Sequence, residues 1–370
     1  MDTEGWHQVR TVGVEEELLL VDPDSGDPRA LAAAVLAHVA LDDPGQDVFD
    51  KELFGQMLEF ATHPQADMTE LGEEIVRCRK EAARHAGQFG CAVAAVATSP
   101  LPVDPALTVN DRYAWLAGRY GVGTRDQLVC GCHVHVAVES DDEGVAVLDR
   151  LRPWLPVLVA ISANSPFWQG GDTGYASYRT RVWERWPSAG PTEPFVSPER
   201  YHRRVRDMVA TGVILDEAMA YFDARLSSHC PTVEIRVADV CLCAQTAVLV
   251  ATLTRALVET AARDWRAGRP APDHSVSVLR LGAWQAARSG LEQDLLDPVT
   301  MRPRPAPRVL RSLLEHTGDA LTACGDAERA EQGVTELLRR GNGARQQRRL
   351  LERGGSLRDV VTECVRHTQG

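Results

Sequence analysis

Lysine is nearly absent from this chain: of the 40 lysine and arginine residues among 370, only Lys51 and Lys80 are lysines. No Gly-Lys-Ser or Gly-Lys-Thr sequence occurs, which excludes a P-loop nucleotide site, because that loop needs its lysine to reach the phosphates. Mechanisms centred on a lysine, such as a Schiff base, have only two positions available. If the protein handles phosphate groups, arginine and metal ions have to supply the positive charge.

Long apolar runs and basic tracts are also lacking. The longest apolar stretches, residues 155–163 and 247–253, fall short of the roughly 18 residues that a membrane span needs. No basic segment followed by an apolar one opens the chain, so we expect a cytoplasmic protein that engages no membrane. The net charge is -12, and without a basic tract beyond residues 345–349 we expect no nucleic-acid partner.

Cysteine is present in an odd number, nine, in a chain too long to need disulfide bonds for its stability. Two pairs, Cys130/Cys132 and Cys241/Cys243, have the spacing C-x-C inside apolar runs and do not match the C-x-x-C spacing of redox and zinc motifs. We therefore expect buried free thiols in a reducing compartment.

The distribution of strand and helix patterns predicts the fold class. Strand-like segments rich in Val, Ile, Leu or Thr cover 11–21, 57–62, 91–98, 128–138 and 232–240. Helical patterns cover 67–88, a segment from Ser140 that Pro153 and Pro156 would kink, a segment opened by Ser197-Pro198, residues 241–267 and almost everything from Ala306 onward. Residues 188–198 and 298–307 are proline-rich and are predicted to be surface loops.

The connections between the first strands are too short or irregular for regular βαβ alternation. We therefore predict an α+β fold with a mostly antiparallel sheet covered by helices. Residues 1–370 are expected to form one catalytic domain, with the sheet in 1–240 and mainly helices in 241–370.

The first strand carries charge where an apolar residue is expected. Glu15 and Glu17 share one face of the strand, whereas Glu16 shares the other with Val12 and Val14. Two neighbouring carboxylates repel each other and raise a pKa unless a cation lies between them, and a hard divalent ion with oxygen ligands would be such a cation. A solvated outer strand face explains this segment taken alone equally well.

Two other strands repeat this arrangement. His133 and His135 point to one face of an apolar strand, and a pair of imidazoles there is a better ligand candidate than a single one. Glu234 and Arg236 also share a face, and alone they would be interpreted as a salt bridge. Together the three strands predict a sheet with one face lined by carboxylates, imidazoles and an arginine.

Two further segments supply polar residues. Glu52 and Glu59 lead into the second strand-like run, where Glu59 lies among apolar neighbours. Residues 178–187 are predicted to be a loop of arginines and aromatic residues that suits a phosphate or carboxylate, because guanidinium groups bind these anions with two hydrogen bonds. Cation–π packing on the surface is the alternative explanation of this composition.

Four motifs, taken together, resemble the carboxylate–amine ligases of the glutamate–cysteine ligase type 2 family, in the family's order and over nearly the whole chain. They are Thr-Val-Gly-Val-Glu-Glu-Glu at 11–17, Gly-Cys-His-Val-His-Val at 131–136, Tyr-Arg-Thr-Arg-Val-Trp-Glu-Arg-Trp-Pro at 178–187 and Pro-Thr-Val-Glu-Ile-Arg-Val-Ala-Asp-Val at 231–240. The segment Gly-Asn-Gly-Ala-Arg-Gln at 341–346 also resembles a family element.

The resemblance implies a catalytic core like that of glutamine synthetase and the guanido kinases, with a curved antiparallel sheet that holds ATP and Mg²⁺, or Mn²⁺ in its place, on its concave face. It implies ATP-dependent amide formation through an acyl phosphate, with small-molecule amino-acid or amine substrates as partners and glutamate plus cysteine as the nominal pair. A homodimer is suggested by the resemblance alone.

The resemblance also implies roles for individual residues. The metal ligands would be Glu15, Glu17, Glu59, His135 and Glu234, with Glu52 and His133 as secondary candidates. Arg179 and Arg236 would be catalytic through contacts with phosphate groups or the acyl phosphate, and Arg181 would join them in binding the nucleotide.

Three alternatives stay open on the sequence. A metal-dependent hydrolase of the amidohydrolase kind would use His133 and His135 and would carry tightly bound zinc. A ligase of the same family could use a different acid and amine. A non-catalytic relative would keep the fold and bind a metabolite, although the intact set of polar residues argues against it.

Overall fold

The computed structural model describes residues 9–42, 45 and 48–369. Its strands, in chain order, are β1 Val12–Val21, β2 Phe49–Lys51, β3 Met57–Ala61, β4 Ala92–Ala94, β5 Gly131–Ala137, β6 Phe167–Trp168, β7 Gly171–Asp172, β8 Ala224–Leu226, β9 Thr232–Asp239, β10 Asp294–Leu296 and β11 Pro303–Pro305.

Most of the remaining chain is helical. The helices are α1 Ala32–Asp42, α2 Met68–Gly87, α3 Asp111–Tyr120, α4 Val122–Arg125, α5 Asp141–Leu151, α6 Leu155–Ser162, α7 Tyr178–Trp183, α8 Pro198–Ala210, α9 Ala244–Arg266, α10 Val276–Ser289, α11 Ala306–Cys324, α12 Ala327–Arg340, α13 Gly343–Glu352 and α14 Leu357–Gln369. A single 3₁₀ turn covers Glu217–Met219.

Seven strands form one sheet in the order β2-β3-β1-β5-β9-β8, with β4 paired to the end of β1. Every pairing in this sheet is antiparallel. The predicted α+β class and antiparallel sheet are therefore confirmed. Two small hairpins, β6–β7 and β10–β11, lie outside the sheet.

One face of the sheet is covered by helices. Helices α2 and α9 pack on β1 and β5, and α2 turns a fully buried row of residues spaced by three or four positions toward the strands. That row is Leu71, Ile75, Cys78, Ala82 and Ala86. The strands contribute the alternate residues that point to the same side, among them Val14, Val134 and Ile235. The opposite face of the sheet is left for the polar side chains.

Glu16 is the one charged residue of β1 that points into the packed side. It is fully buried and accepts two hydrogen bonds of 2.7 Å from the guanidinium of Arg79 on α2. Arg79 also donates to the carbonyls of Cys241 and Leu242 just before α9. This two-pronged ion pair ties β1, α2 and α9 together and satisfies both buried charges.

Two predicted helix starts are confirmed, because the expected serine caps each of them. Ser140 accepts from the backbone N–H of Glu143 to open α5, and Ser197 accepts from the N–H of Arg200 to open α8. The helix that was expected to kink at Pro153 and Pro156 is interrupted instead, since α5 ends at Leu151 and α6 begins at Leu155. All nine cysteines are free, and all except Cys230 and Cys324 are buried. Among the residues that the structure describes, no helix is long and apolar enough to cross a membrane.

Three local predictions were wrong. The strand expected over 91–98 is reduced to Ala92–Ala94, because β5 takes the rest of the same edge of β1. Residues 178–187 do not form a loop but begin with helix α7, whose first turn is capped by Ser177. The loop expected over 298–307 contains strand β11 and the first residues of α11.

Candidate active site

The register of the sheet places the predicted polar residues in a stripe on the face away from α2 and α9. Glu17 lies directly opposite Glu59 on β3, and Glu15 lies opposite His133 on β5. One step further, His135 pairs with Glu234 on β9, and Glu234 pairs with Arg225 on β8. Directly opposed residues in antiparallel strands point to the same side of the sheet. The stripe therefore lies on one face, and it runs diagonally across five strands.

The centre of the stripe brings three potential metal ligands together. One ligand atom from each of Glu15, His133 and Glu234 lies within 4.8 Å of the others. Glu15 also bridges the two imidazoles, with Oε2 at 3.1 Å from Nδ1 of His133 and Oε1 at 3.2 Å from Nε2 of His135. His133 Nε2 is buried without a hydrogen-bond partner, and such a nitrogen is what a bound cation would use.

The charges around Glu15, Glu234 and His133 favour the protonation state that each side chain needs in order to bind a metal ion. Burial acts to raise the pKa of Glu15, but hydrogen bonds and charge from the two histidines outweigh it and lower that pKa. Burial also opposes ionisation of Glu234, yet the charges of Arg236 and Arg225 lower its pKa to about 2. Burial, followed by the charge of Arg236, lowers the pKa of His133 to about 4. At neutral pH two carboxylates are therefore ionised beside a neutral imidazole, as metal binding requires.

A second group of acids lies next to this centre. Burial, followed by the charge of Glu52, raises the pKa of Glu17 to about 7, and the same causes in the same order raise the pKa of Glu59 well above its usual range. Glu17 is only 8% exposed and accepts a hydrogen bond from the backbone N–H of Gly131. Acids that raise one another's pKa in this way would ionise fully only with a cation among them.

Three arginines approach the stripe from different elements. Arg236 of β9 forms an ion pair with Glu234, and Arg225 donates to the other oxygen of the same carboxylate at 2.6 Å. Arg179 of α7 is 2% exposed and lies with Nη2 at 3.3 Å from the carbonyl oxygen of Arg236. The guanidinium carbons of Arg179 and Arg236 lie 5.5 and 5.6 Å from the centroid of the Trp183 ring.

Arg179 and Arg236 line a cleft between α6, α7, α10 and β9, whose apolar wall includes Leu155, Pro156 and Val159. The Nε atoms of both Arg179 and Arg236 are buried without a hydrogen-bond partner in the described structure. Guanidinium groups that are fixed beside an indole ring and keep unpaired donors are suited to phosphate or acyl-phosphate oxygens.

The structure brings most of the predicted residues together but separates one of them. Glu15, Glu17, Glu59, His133, His135, Glu234, Arg179 and Arg236 all belong to the stripe or to the adjoining cleft. Glu52 lies near enough to Glu17 and Glu59 to influence both. Arg181 instead forms an ion pair with Glu184, the residue directly after α7, and its side chain is 34% exposed.

Sequence reasoning missed several contributors. Arg225 stands in a three-residue strand outside the motifs, so that no pattern marked it. Tyr113 of α3 lies near the acid group. Burial, followed by the charges of Glu52 and Glu59, raises the pKa of its hydroxyl. Gly131 was quoted within a motif, but the room that it leaves beside Arg179 is a tertiary feature.

Comparison with known proteins assigns a family to this arrangement. The model of "Glutamate-cysteine ligase family 2 (GCS2)" matches residues 11–363. A Streptomyces avermitilis protein with the provisional name glutamate–cysteine ligase 2-1 is 72% identical over 362 residues, covering 98% of this chain and 100% of the relative. A Streptomyces coelicolor protein with the provisional name glutamate–cysteine ligase 2 is 70% identical over 361 residues, covering 98% and 99%.

Solved structures show the same fold at low sequence identity. Glutamate–cysteine ligase from Francisella tularensis, solved in complex with AMP, is similar with a TM-score of 0.70 and 11% identity, covering 98% of this chain and 89% of that one. A bifunctional glutathione synthetase from Pasteurella multocida is similar with a TM-score of 0.68 and 16% identity, covering 97% and 52%.

Proposed function

Because the chain belongs to glutamate–cysteine ligase family 2, and is thus an ATP-dependent ligase that forms C–N bonds, we propose that it joins L-glutamate to L-cysteine. The products would be γ-glutamylcysteine, ADP and phosphate, formed through a γ-glutamyl phosphate. The observation that carries the proposal is the group of Glu15, His133 and Glu234 beside the guanidinium of Arg236.

The first half of such a reaction brings a substrate carboxylate against the γ-phosphate of ATP. Mg²⁺ bound at the stripe would offset the repulsion between these negative groups. We propose Glu15, Glu234 and His133 as its nearest ligands, with Glu17, Glu59, His135 and Glu52 completing the set. The majority of carboxylates favours Mg²⁺ or Mn²⁺ over softer ions.

The arginines would take the part that a P-loop lysine plays elsewhere. Glu234, backbone carbonyls and the ring of Trp183 hold the guanidinium groups of Arg236 and Arg179, which supports this role. Donors fixed before the reaction stabilise charge on the transferring phosphoryl group without reorganisation. Arg181 would contact the nucleotide only if its ion pair with Glu184 opened.

The second half needs the substrate amine to attack the acyl carbon and expel phosphate. No lysine is required for this step, and the amine must reach the acyl phosphate before water does. The cleft beside Arg179 and Arg236 is partly apolar, which would help to keep water from the intermediate.

The test is an assay of the purified protein with Mg-ATP, glutamate and cysteine, followed by pairs drawn from other acids and amines. ADP release that depends on both substrates, together with a product of the mass of γ-glutamylcysteine, is the expected result. Turnover of another pair would replace the nominal substrates and keep the ligase. If no pair stimulates ADP release and Mg-ATP does not bind, the proposal is wrong.

A metal-dependent hydrolase is the second candidate, since two imidazoles lie within 3.2 Å of Glu15. Zinc prefers such nitrogen-containing sites and would remain bound through purification. Elemental analysis that finds one zinc per chain, with hydrolysis of amides in the absence of ATP, would favour it. A single catalytic domain over 1–370, a cytoplasmic location and a homodimer stay predictions.

A further inference from the structure

Asp239, the last residue of β9, is a buried carboxylate outside the polar stripe. It is 1% exposed and its two oxygens accept three hydrogen bonds. Oδ1 accepts from the hydroxyl of Ser177 at 2.8 Å. Oδ2 accepts from the hydroxyl of Ser165 at 2.7 Å and from the backbone N–H of Asn164 at 2.8 Å.

The two serines pass this anchoring on to the first turn of α7. Ser165 Oγ accepts the backbone N–H of Arg179 at 3.0 Å, and Ser177 Oγ accepts that of Thr180 at 3.4 Å. Each hydroxyl has one hydrogen, which it donates to Asp239, so that toward α7 it acts as an acceptor. The carboxylate thus sets the donor and acceptor direction in two parallel chains of hydrogen bonds, which end on the backbone N–H groups of two adjacent residues of α7.

Arg179 is the functional end of this chain of contacts. Its backbone N–H is held through Ser165, while its guanidinium extends to the carbonyl of Arg236 and lies over Trp183. A shift of α7 by a fraction of an ångström would therefore move the guanidinium relative to Arg236.

The motif at 341–346 and Gln347 directly after it contact residues 163–164, which lie next to Asp239. Gln347 donates to the side-chain and main-chain oxygens of Asn164 at 2.7 and 3.0 Å, and Ala344 N–H donates to the carbonyl of Ala163 at 3.0 Å. A Cβ at Gly343 would lie 2.0 Å from Asn164 Oδ1, so only glycine allows this approach. The C-terminal segment therefore orients Asn164, whose N–H binds Asp239.

We propose that Asp239 is a positioning residue, which acts through Ser165, Ser177 and α7 to hold the Arg179 guanidinium at the reaction centre. The role at the reaction centre rests on the proposed function, whereas the anchoring of α7 does not. Asp239 itself lies too deep to touch a substrate. The motif at 341–346 contributes to the same anchoring from the far end of the chain.

The anchoring is tested by hydrogen–deuterium exchange of the peptide that contains α7. Asp239→Asn keeps the shape of the side chain but offers an N–H₂ group where one serine needs an acceptor. Exchange at residues 178–183 should rise about tenfold or more in Asp239→Asn and in Ser177→Ala. The matched control is Ser162→Ala, because this buried hydroxyl contacts the backbone of Asp239 and not its carboxylate. Unchanged exchange in Asp239→Asn, or an equal rise in the control, would overturn the anchoring.

The link to Arg179 is tested by a double-mutant cycle in the ligase assay, with affinity for Mg-ADP as a second measure. Asp239→Asn should lower kcat by about tenfold or more in the wild-type background, since small misplacements of a binding group are costly. In the Arg179→Ala background it should change kcat and the Kd of Mg-ADP by less than about twofold, because coupled residues are not additive. Equal losses in both backgrounds would show a general structural effect and refute the positioning role. If the wild-type protein turns over no substrate and binds no nucleotide, the proposed function fails, and the exchange experiment still decides whether Asp239 anchors α7.

Discussion

Glu17 and Glu59 face each other directly across the β1–β3 pair. Like charges in opposed positions destabilise a sheet, and burial adds to the cost of ionising either carboxyl. Both pKa values are raised as a consequence, so that the pair keeps protons at pH values where ordinary glutamates have lost them. A cation that binds between them would remove the cost, which couples metal binding to both pH and stability.

The metal-free protein should therefore lose stability as the pH rises. The pKa of Glu17 is raised from 4.5 to about 7, so its stabilising effect is complete below pH 4.5 and is lost as the pH rises through 7. The slope contributed by one such group is about 1.4 kcal/mol per pH unit within that window. The shift of Tm on adding Mg²⁺ should accordingly be larger at about pH 8 than at about pH 5.5. Glu17→Gln should flatten the metal-free pH dependence and reduce the Mg²⁺ shift.

Asp223 supplies the matched control for this experiment. Burial, followed by the charge of Glu184, also raises its pKa to about 7, but it lies in the cleft and not on the stripe. Asp223→Asn should flatten the metal-free pH dependence and leave the Mg²⁺ shift intact. A Mg²⁺ shift that is independent of pH, or that survives in full in Glu17→Gln, would remove Glu17 from the metal site.

Glu15 and Glu16 are neighbours in sequence with opposite expected phenotypes. Glu15→Gln removes a carboxylate from the stripe and should lower ATP-dependent turnover by more than about 100-fold. It should cost less stability than Glu16→Gln, because the Glu15 side chain is 29% exposed and its partners are imidazoles. Glu16→Gln leaves the Arg79 guanidinium buried without its charge partner and should cost about 3–5 kcal/mol of stability. Chemical denaturation and the ligase assay on both variants check the contrast. Equal losses of stability would mean that the assignment of the two faces of β1 is wrong.

That contrast also shows how far the sequence reaches. The period of two in β1 places Glu15 and Glu17 on one face, and the same rule places His133 with His135, so the chemistry of the stripe follows from the pattern. The partner of Glu16 does not, because Arg79 is 63 residues away and only the packing of α2 on β1 brings them together. A local pattern predicts which face of a strand a side chain lies on, but not which residues of other elements contact it.

The region around α7 marks the same limit. The arginines and aromatic residues of 178–187 have the composition of a binding loop. The segment is instead held in a fixed conformation by Ser165 and Asp239, and no local sequence pattern connects these residues to it. The sequence therefore predicted that Arg179 binds an anion and did not predict the helix that carries it. Arg181 was grouped with it by the family resemblance, whereas in the structure it forms an ion pair with Glu184.

The three arginines predicted to bind phosphate should not be equivalent. Arg236 is 7% exposed and contacts Glu234, so Arg236→Ala should lower kcat by about 100-fold or more. Arg181→Ala removes a partly exposed ion pair at the end of α7 and should change kcat by less than about threefold and stability by less than about 1 kcal/mol. Steady-state kinetics with varied ATP distinguish the two variants. A loss in Arg181→Ala as large as that in Arg236→Ala would return Arg181 to the nucleotide site.

Gly131 should be required because of the space that it leaves beside Arg179. A Cβ at Gly131 would lie 2.3 Å from Nη2 of Arg179, so that Gly131→Ala has to displace the guanidinium. We expect kcat to fall by about 10- to 100-fold, since a displaced binding group is held in the wrong place when the phosphoryl group transfers. Gly13→Ala is the matched control, because this strand glycine on the neighbouring β1 has its nearest heavy atom at 3.8 Å and can accept a methyl group. Kinetics and denaturation of both variants should show a loss of activity in the first and near wild-type behaviour in the second. In the Arg179→Ala background the Gly131→Ala change should have little further effect, and an undiminished loss there would mean that the glycine serves the backbone of β5 and not the arginine.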